Sequence, residues 1–209
     1  MSAGILLVGA SGMAREVLAA GITGVVGILD DDQRLHETEI DGVPVLGPIA
    51  AASERSEQLL VCVGSSAGRR SIVRRLRTAG VVGDDRFATF VARSARIGST
   101  SDVAPGAIVL DGVVVTAHAL VGRHVVVMPT GVVTHDDTLS DFVTLASGVT
   151  LGGRVHIAEG AYLGMHSSVR QEVSIGADAV IGMGAVVLTD VPAGETWVGV
   201  PAHRQGENR

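Results

Sequence analysis

Residues 133–153 read VTHDDTLSDFVTLASGVTLGG, and an aliphatic residue occupies every sixth position of this stretch. The same period runs from Val91 to Val187 and gives 17 consecutive aliphatic positions without an insertion. Neither helical periodicity nor strand alternation gives a strict period of six, whereas a solenoid with one short strand and one turn per hexad does. A β-sandwich would need irregular turns about every 8 to 12 residues. The spacing therefore predicts a parallel β-helix in which three hexads form one triangular coil.

The composition agrees with a repetitive β structure. Aromatic residues make up only 2% of the chain and there are 28 glycines, so the core must be built from small and β-branched side chains. A formal net charge of −6 gives no electrostatic reason to expect nucleic acid or an anionic membrane as a partner. The chain has a single cysteine, Cys62, and no long apolar run or basic leader. We expect a cytoplasmic protein that acts on small molecules.

The first part of the chain, residues 1–85, has a different sequence pattern without the six-residue period. Apolar runs that resemble strands alternate with stretches that resemble helices, and they lie at residues 5–8, 13–20, 25–29, 59–63 and 69–77. This alternation predicts a small parallel α/β sheet, equivalent to half of a Rossmann fold. The β-helix then forms a second domain over residues 91–209.

Polar and glycine residues follow the predicted strands of this first domain. Ligands of such sheets bind beyond the carboxyl ends of the strands, so we expect a substrate site formed by Gly9, Ser11, Gly12, Met13, Asp30, Asp31 and Ser65. The glycine turn departs from the dinucleotide fingerprint, because Ser11 and Ala14 replace its second and third glycines. Because the short domain offers only half of a dinucleotide-binding fold, a mononucleotide or nucleotide sugar is favoured over NAD. The alternative is a tight turn with solvated aspartates.

His135 is the candidate catalytic residue of the β-helix. With 18 residues per coil it lies directly below Gly153 and above Ala117, so small neighbours leave room for a substrate. Imidazole serves as a general base near neutral pH, and the Gly153 amide could stabilise an oxyanion. Asp136 or Asp137 could orient the ring, although Asp137 occupies an inward position where a carboxylate is costly unless paired. We expect the other histidines of the β-helix to be exposed polar side chains: His118, His124, His156 and His166.

Several short motifs together resemble the bacterial sugar O-acyltransferase family, which includes sialic acid O-acetyltransferases and N-acetyltransferases of nucleotide-linked 4-amino sugars. The resemblance covers nearly the whole chain and rests on the hexads, THDD at 134–137, LASG at 145–148, LGG at 151–153, GASG at 9–12, DDD at 30–32, Val63-Gly64 with Arg69, and GVPA at 199–202.

This resemblance implies a left-handed β-helix, a homotrimer with coenzyme A between adjacent solenoids, and acetyl transfer from acetyl-CoA to an amine or hydroxyl of a sugar, without a metal. By position, His135 is the base and Asp136 its partner. Gly153 and Thr144, together with Gly199, Pro201 and Ala202, are expected to bind the coenzyme. Arg69 joins the substrate-binding residues. Met13 stands where many relatives carry a histidine, and Thr144 stands where some carry a second one.

Three alternatives remain open at this point. The protein could be a sialic acid or other sugar O-acetyltransferase, or a nucleotide-sugar binder without catalytic activity. A zinc lyase of the carbonic anhydrase kind also uses hexapeptide solenoids but needs three converging histidines. His118 and His124 lie on different sheets of one coil, which argues against that reading.

Overall fold

The computed structural model describes residues 4–206, so the outer ends of both predicted domains, residues 1–3 and 207–209, lie outside the described residues. Residues 4–87 form a five-stranded sheet with a helix on each side. The elements are β1 Ile5–Val8, α1 Gly12–Ala19, β2 Val25–Leu29, β3 Glu39–Ile40, β4 Val43–Gly47, β5 Gln58–Val61 and α2 Ser66–Thr78. The strand order is β3-β4-β2-β1-β5. All pairs are parallel except the β3–β4 hairpin, which the sequence did not predict.

Apolar residues of β1 alternate between the two faces of this sheet, because successive side chains of a strand point to opposite sides. Leu7 packs in a cluster with Val17 of α1, whereas Leu6 and Val8 pack with residues of α2. The first cluster also contains Ile108, from the outer surface of the β-helix. One apolar cluster thus spans both parts of the chain, apart from the interior of the β-helix.

The remaining strands form the β-helix, and nearly all are two residues long: β6 Phe90–Val91, β7 Arg96–Ile97, β8 Asp102–Val103, β9 Ile108–Val109, β10 Val114–Val115, β11 Leu120–Val121, β12 Val126–Val127, β13 Val132–Val133, β14 Thr138–Leu139, β15 Thr144–Leu145, β16 Thr150–Leu151, β17 His156–Ile157, β18 Tyr162–Leu163, β19 Ser168–Val169, β20 Ser174–Ile175, β21 Val180–Ile181, β22 Val186–Val187, β23 Thr196–Val198 and β24 His203–Arg204.

These strands stack into three parallel sheets, here called the first, second and third faces. The first face contains β6, β9, β12, β15, β18, β21, β23 and β24; the second contains β7, β10, β13, β16, β19 and β22; the third contains β8, β11, β14, β17 and β20. Only β24 is antiparallel to its neighbour. The aliphatic residues of the hexads fill the interior, where Leu139, Leu145 and Ile157 are essentially inaccessible to solvent. The predicted architecture is confirmed.

Candidate active site

His135 lies in the turn between β13 and β14, at the edge where the second and third faces meet. Its Nδ1 is 2.8 Å from Oδ2 of Asp136, and both side chains are about half exposed, at 54% and 49%. The hydrogen bond with His135 lowers the pKa of Asp136 below its ordinary value. Because an ionised carboxylate can only accept, the proton of the neutral imidazole lies on Nδ1. The Nε2 lone pair is then free to accept a proton.

Gly153 lies directly above the His135 ring, in the register that the 18-residue period predicted. The backbone N–H of Arg154 donates to the His135 carbonyl at 2.9 Å, which fixes the two coils against each other. A β-carbon on Gly153 would lie only 2.3 Å from Nε2 of His135. Among residues 4–206, the Gly153 N–H has no hydrogen-bond acceptor. The turn therefore brings together a basic nitrogen and a free amide donor.

Asp137 does not contact the imidazole, so Asp136 is the carboxylate that orients His135. The Asp137 side chain points inward and is fully buried, and burial raises its pKa. It accepts hydrogen bonds from the backbone N–H groups of Thr134 at 2.6 Å and Val155 at 2.8 Å. The pairing that a buried carboxylate needs is thus supplied by the backbone.

A cavity of about 940 Å³ lies between the first face and the α2 end of the N-terminal domain. Three of the predicted site residues line it, namely Met13, Ser65 and Thr144. Other residues that line the cavity were not predicted from the sequence, among them Ser66 and Tyr162. Tyr162 could have been found, because it is 18 residues beyond Thr144 and therefore one coil above it. His135 does not line this cavity.

The glycine turn and Asp30 are held together by internal hydrogen bonds. Gly9 has a φ of +104°, in the region that favours glycine. The Asp30 carboxylate accepts the N–H of Ala10 at 2.7 Å, and the Ser11 hydroxyl donates to the Cys62 carbonyl at 2.8 Å. The same Ser11 oxygen caps α1, which begins at Gly12. None of the four predicted residues in this part of the domain, Gly9, Ser11, Gly12 and Asp30, lines the cavity.

Asp31 also lies away from the cavity. Its carboxylate pairs with Arg75 of α2 at 2.7 Å and accepts the backbone N–H of Ile49 at 3.1 Å. Asp30 and Asp31 thus connect the carboxyl end of β2 to the glycine turn, to α2 and to the backbone of Ile49.

Arg69, predicted as a substrate-binding residue, lies at the junction between the two domains. It is fully buried, and its guanidinium donates to carbonyl oxygens of both domains and to the hydroxyl of Thr144 at 2.9 Å. Those carbonyls belong to Val63, Gly64, His124, Phe142 and Val143. Burial lowers the Arg69 pKa to about 10. With its donors engaged by these carbonyls and by Thr144, this cation joins the two domains, and its contact with a substrate stays a prediction.

Thr144, predicted to contact the coenzyme, lies on the first face of the β-helix. It is 3% exposed on the floor of the cavity, and its hydroxyl is 2.9 Å from that of Ser66. Thr144 therefore faces the N-terminal domain across the cavity, and its contact with the coenzyme stays a prediction.

His124 corrects the expectation that it would be an exposed side chain. It is 2% exposed, stacks on Phe142 with ring centroids 5.1 Å apart, and meets the edge of Phe87 at 4.7 Å. Burial, followed by the nearby Arg69 cation, lowers the His124 pKa to about 4. This ring is neutral near pH 7 and is part of the junction between the domains.

The predicted coenzyme-binding residues at the C-terminus form the turn between β23 and β24. Gly199 has a φ of +94°, and the N–H of Ala202 donates to the Val186 carbonyl at 2.8 Å. Pro201 lies between them, so the turn covers the last coil of the β-helix. Its contact with coenzyme A stays a prediction.

Other kinds of site find no support in the part of the chain that the structure describes. No three histidine, cysteine or acidic side chains within residues 4–206 converge as metal ligands would. No helix in that range has the length and hydropathy of a membrane span. Burial raises the pKa of the Cys62 thiol, which makes it a poor nucleophile.

The structure combines a β-helix of hexapeptide repeats with a histidine that a carboxylate orients at the edge of a coil. This combination is typical of acyltransferases of the hexapeptide-repeat class. Residues 4–76 match the family described as the PglD N-terminal domain. The chain is similar to GDP-perosamine N-acetyltransferase of Caulobacter crescentus, a histidine mutant of which was solved with CoA and GDP-perosamine. The identity is 30%, the match covers 98% of this chain and 97% of that one, and the TM-score is 0.88. The chain belongs to the bacterial sugar acyltransferase family.

Further relatives agree with this placement. The acetyltransferase domain of PglB from Neisseria gonorrhoeae, solved with acetyl coenzyme A, is 27% identical with a TM-score of 0.87, over 98% of this chain and 100% of that one. WeeI from Acinetobacter baumannii is also 27% identical, over 96% and 99% of the two chains, with a TM-score of 0.84. A UDP-3-O-acylglucosamine N-acyltransferase of Caulobacter is 46% identical over 46 residues, and that match spans only 14% of its length. The predicted family and left-handed β-helix are confirmed.

Proposed function

We propose that this protein transfers an acetyl group from acetyl-CoA to the amine of a nucleotide-linked amino sugar. The observation that carries the proposal is the His135–Asp136 pair, with its 2.8 Å hydrogen bond beneath the unoccupied N–H of Gly153. The relatives support the choice of substrates, because one was solved with CoA and GDP-perosamine and another with acetyl coenzyme A.

In the proposed mechanism, Nε2 of His135 removes a proton from the acceptor amine as its nitrogen attacks the thioester carbonyl. Asp136 holds the proton on Nδ1 and stabilises the imidazolium that forms. The N–H of Gly153 donates to the carbonyl oxygen as negative charge develops there. His135 then returns its proton to the departing thiolate or to solvent. Because the amine attacks directly, no acyl-enzyme is required.

The cavity on the first face is the proposed site for the sugar end of the acceptor. Ser65 offers a hydroxyl group there, the Thr144 hydroxyl is already bonded to Ser66, and Met13 makes part of the wall apolar. The nucleotide would lie beyond the carboxyl ends of the strands, near Gly9, Ser11, Gly12, Asp30 and Asp31. The C-terminal turn, with Gly199, Pro201 and Ala202, would contact the adenine of coenzyme A.

The cavity and the catalytic histidine lie on different parts of one chain, which favours an active site between subunits. The His135 turn joins the second and third faces, so it is the edge of the prism opposite the first face. A base on that edge cannot reach an acceptor held against the first face of the same chain. We propose a homotrimer in which each cavity receives His135 from a neighbouring subunit. Cytoplasmic pools of acetyl-CoA and nucleotide sugars would supply the reaction.

The test is incubation of the purified protein with acetyl-CoA and a panel of amino-sugar nucleotides, with mass spectrometry of the products. We expect a mass gain of one acetyl group on at least one amine acceptor and roughly a 10²- to 10⁴-fold loss of rate in His135→Ala. Acetylation only of hydroxyl acceptors would make the protein an O-acetyltransferase. Tight nucleotide-sugar binding without any transfer would identify a binding protein and refute the catalytic proposal.

A further inference from the structure

Over residues 92–170 the backbone ladder of the β-helix has one interruption, and it lies at the start of the His135 turn. After each inward aliphatic residue, the next N–H donates to a carbonyl one coil above, as Thr116 does to Val133 at 3.0 Å. Over residues 92–170, all of them described, Thr134 is the one residue at this position that lacks the bond. The pairing of β13 with β16 accordingly includes Val132 but not Val133. The usual partner of the missing bond would be the Leu151 carbonyl.

The carboxylate of Asp137 takes the place of that ladder bond. Its Oδ2 accepts the Thr134 N–H at 2.6 Å, and its Oδ1 accepts the N–H of Val155, in the coil above, at 2.8 Å. The two oxygens thus connect the first residue of the turn to the next coil. Hydrogen bonds from N–H groups to an ionised acceptor are short and strong. His135 and Asp136 lie between the two anchored ends of this turn.

The fold itself does not require a carboxylate at this position. Equivalent inward positions in other coils hold small or aliphatic residues, for example Ala119 one coil below and Val155 one coil above. A valine at position 137 would continue that apolar column and would leave the Thr134 N–H free to bond Leu151. Burying a charge in the core is unfavourable in itself. Asp137 therefore does not serve the stability of the core, and its effect is on the conformation of the turn at residues 134–137.

We propose that Asp137 is a positioning residue for the catalytic base. By withdrawing the Thr134 amide from the ladder and tying the turn to Val155, it sets the height of the His135 imidazole beneath Gly153. Asp137 touches neither substrate nor the imidazole. The proposal rests on the proposed role of His135 as the base.

The test compares two variants at position 137 with a matched control. Asp137→Val restores the apolar column, and Asp137→Asn leaves one oxygen for two N–H donors. The control is Ser101→Ala, two coils below in the same column, because Ser101 also accepts a backbone N–H, from Ala119 at 2.9 Å, but lies away from His135. We expect Asp137→Val to melt no lower than the wild type and to lose about 10- to 100-fold in kcat.

The KM for acetyl-CoA should stay within about twofold in this variant, because only the base has moved. Asp137→Asn should lie between Asp137→Val and the wild type in kcat. Ser101→Ala should melt earlier than the wild type with kcat unchanged. A purely structural role for Asp137 would instead lower the melting temperature and leave kcat per folded enzyme intact.

Crystal structures supply a readout that does not depend on activity. In Asp137→Val we expect Thr134 N and Leu151 O to close to about 3 Å, with the imidazole displaced from its place beneath Gly153. Wild-type kcat in either folded variant would overturn the proposal, and Asp137→Asn decides if the valine variant does not fold. If the wild type acetylates no acceptor, the proposed function fails. An unmoved imidazole in the variant crystals would then overturn the positioning role separately.

Discussion

Replacing Gly153 with alanine should disable the enzyme by moving His135 while leaving the fold intact. The new β-carbon would lie 2.3 Å from Nε2 and 2.4 Å from Cε1 of the ring. Carbon and nitrogen atoms pack at about 3.5 Å, so the imidazole must retreat by roughly 1 Å. Gly153 does not have the left-handed backbone that penalises alanine, and the clash is with a half-exposed side chain that can swing outward. Such a swing strains the 2.8 Å bond to Asp136.

A displacement of about 1 Å in a catalytic group lowers the rate on the order of 10²-fold. We expect Gly153→Ala to show that loss in kcat, measured by release of free thiol from acetyl-CoA at saturating acceptor, with a melting temperature near that of the wild type. Gln171→Ala is the matched control, because this exposed residue lies one coil above Gly153 in the same column. A kcat within about threefold of the wild type in Gly153→Ala would refute the inferred position of the base.

Three further predictions concern the His135–Asp136 pair and the junction between the two domains. Asp136→Asn can donate to Nδ1 and move the ring proton to Nε2, so kcat should fall about 10²- to 10⁴-fold with unchanged coenzyme affinity by calorimetry; undiminished turnover would contradict this. Arg69→Met leaves buried carbonyls without donors and should lower the free energy of unfolding by about 3–5 kcal/mol in denaturant titrations; a loss below about 1 kcal/mol would refute the inferred clamp. The His124 pKa, lowered to about 4, lies below its unfolded value of about 6.5, so this residue should remove up to about 3 kcal/mol of stability as pH falls from about 6.5 to 4. Unfolding curves should show that dependence flattened in His124→Phe, and an identical pH dependence in both proteins would exclude His124 as its source.

The hexad period predicted the β-helix because one physical requirement, an inward aliphatic residue in every short strand, recurs along the whole segment. It also predicted the column of Ala117, His135 and Gly153, because residues 18 apart stack. The same arithmetic puts Phe142 one coil above His124, so the aromatic contact that buries this histidine was available from the sequence. The second ring, Phe87, comes from the other domain and carries no such signal.

The features that the sequence did not predict depend on contacts between distant segments. The partners of Arg69 are carbonyl oxygens, which every residue possesses, so no residue type marks them in advance. The β3–β4 hairpin is short and contains a proline within β4, which hides the strand signal. The sequence showed Asp137 as a departure from the repeat, but only the three-dimensional structure identifies its two backbone donors.

Two parts of the candidate site, the cavity and the catalytic pair, are separated by the geometry of the β-helix. Met13 and Ser65 of the cavity were found from the turns of the α/β domain, and the catalytic pair was found from the repeat and the family resemblance. Within residues 4–206 the two parts lie apart, since the His135 turn is the edge opposite the first face. In the proposed trimer, threefold symmetry brings the cavity of one subunit next to the His135 turn of another, because every subunit carries both. No additional sequence motif is needed for this contact. The rigid stacking of the coils then fixes the height of His135 relative to the cavity of the neighbouring subunit. A change in the Thr134–Asp137 turn should therefore lower the catalytic rate more than it lowers the stability of the fold.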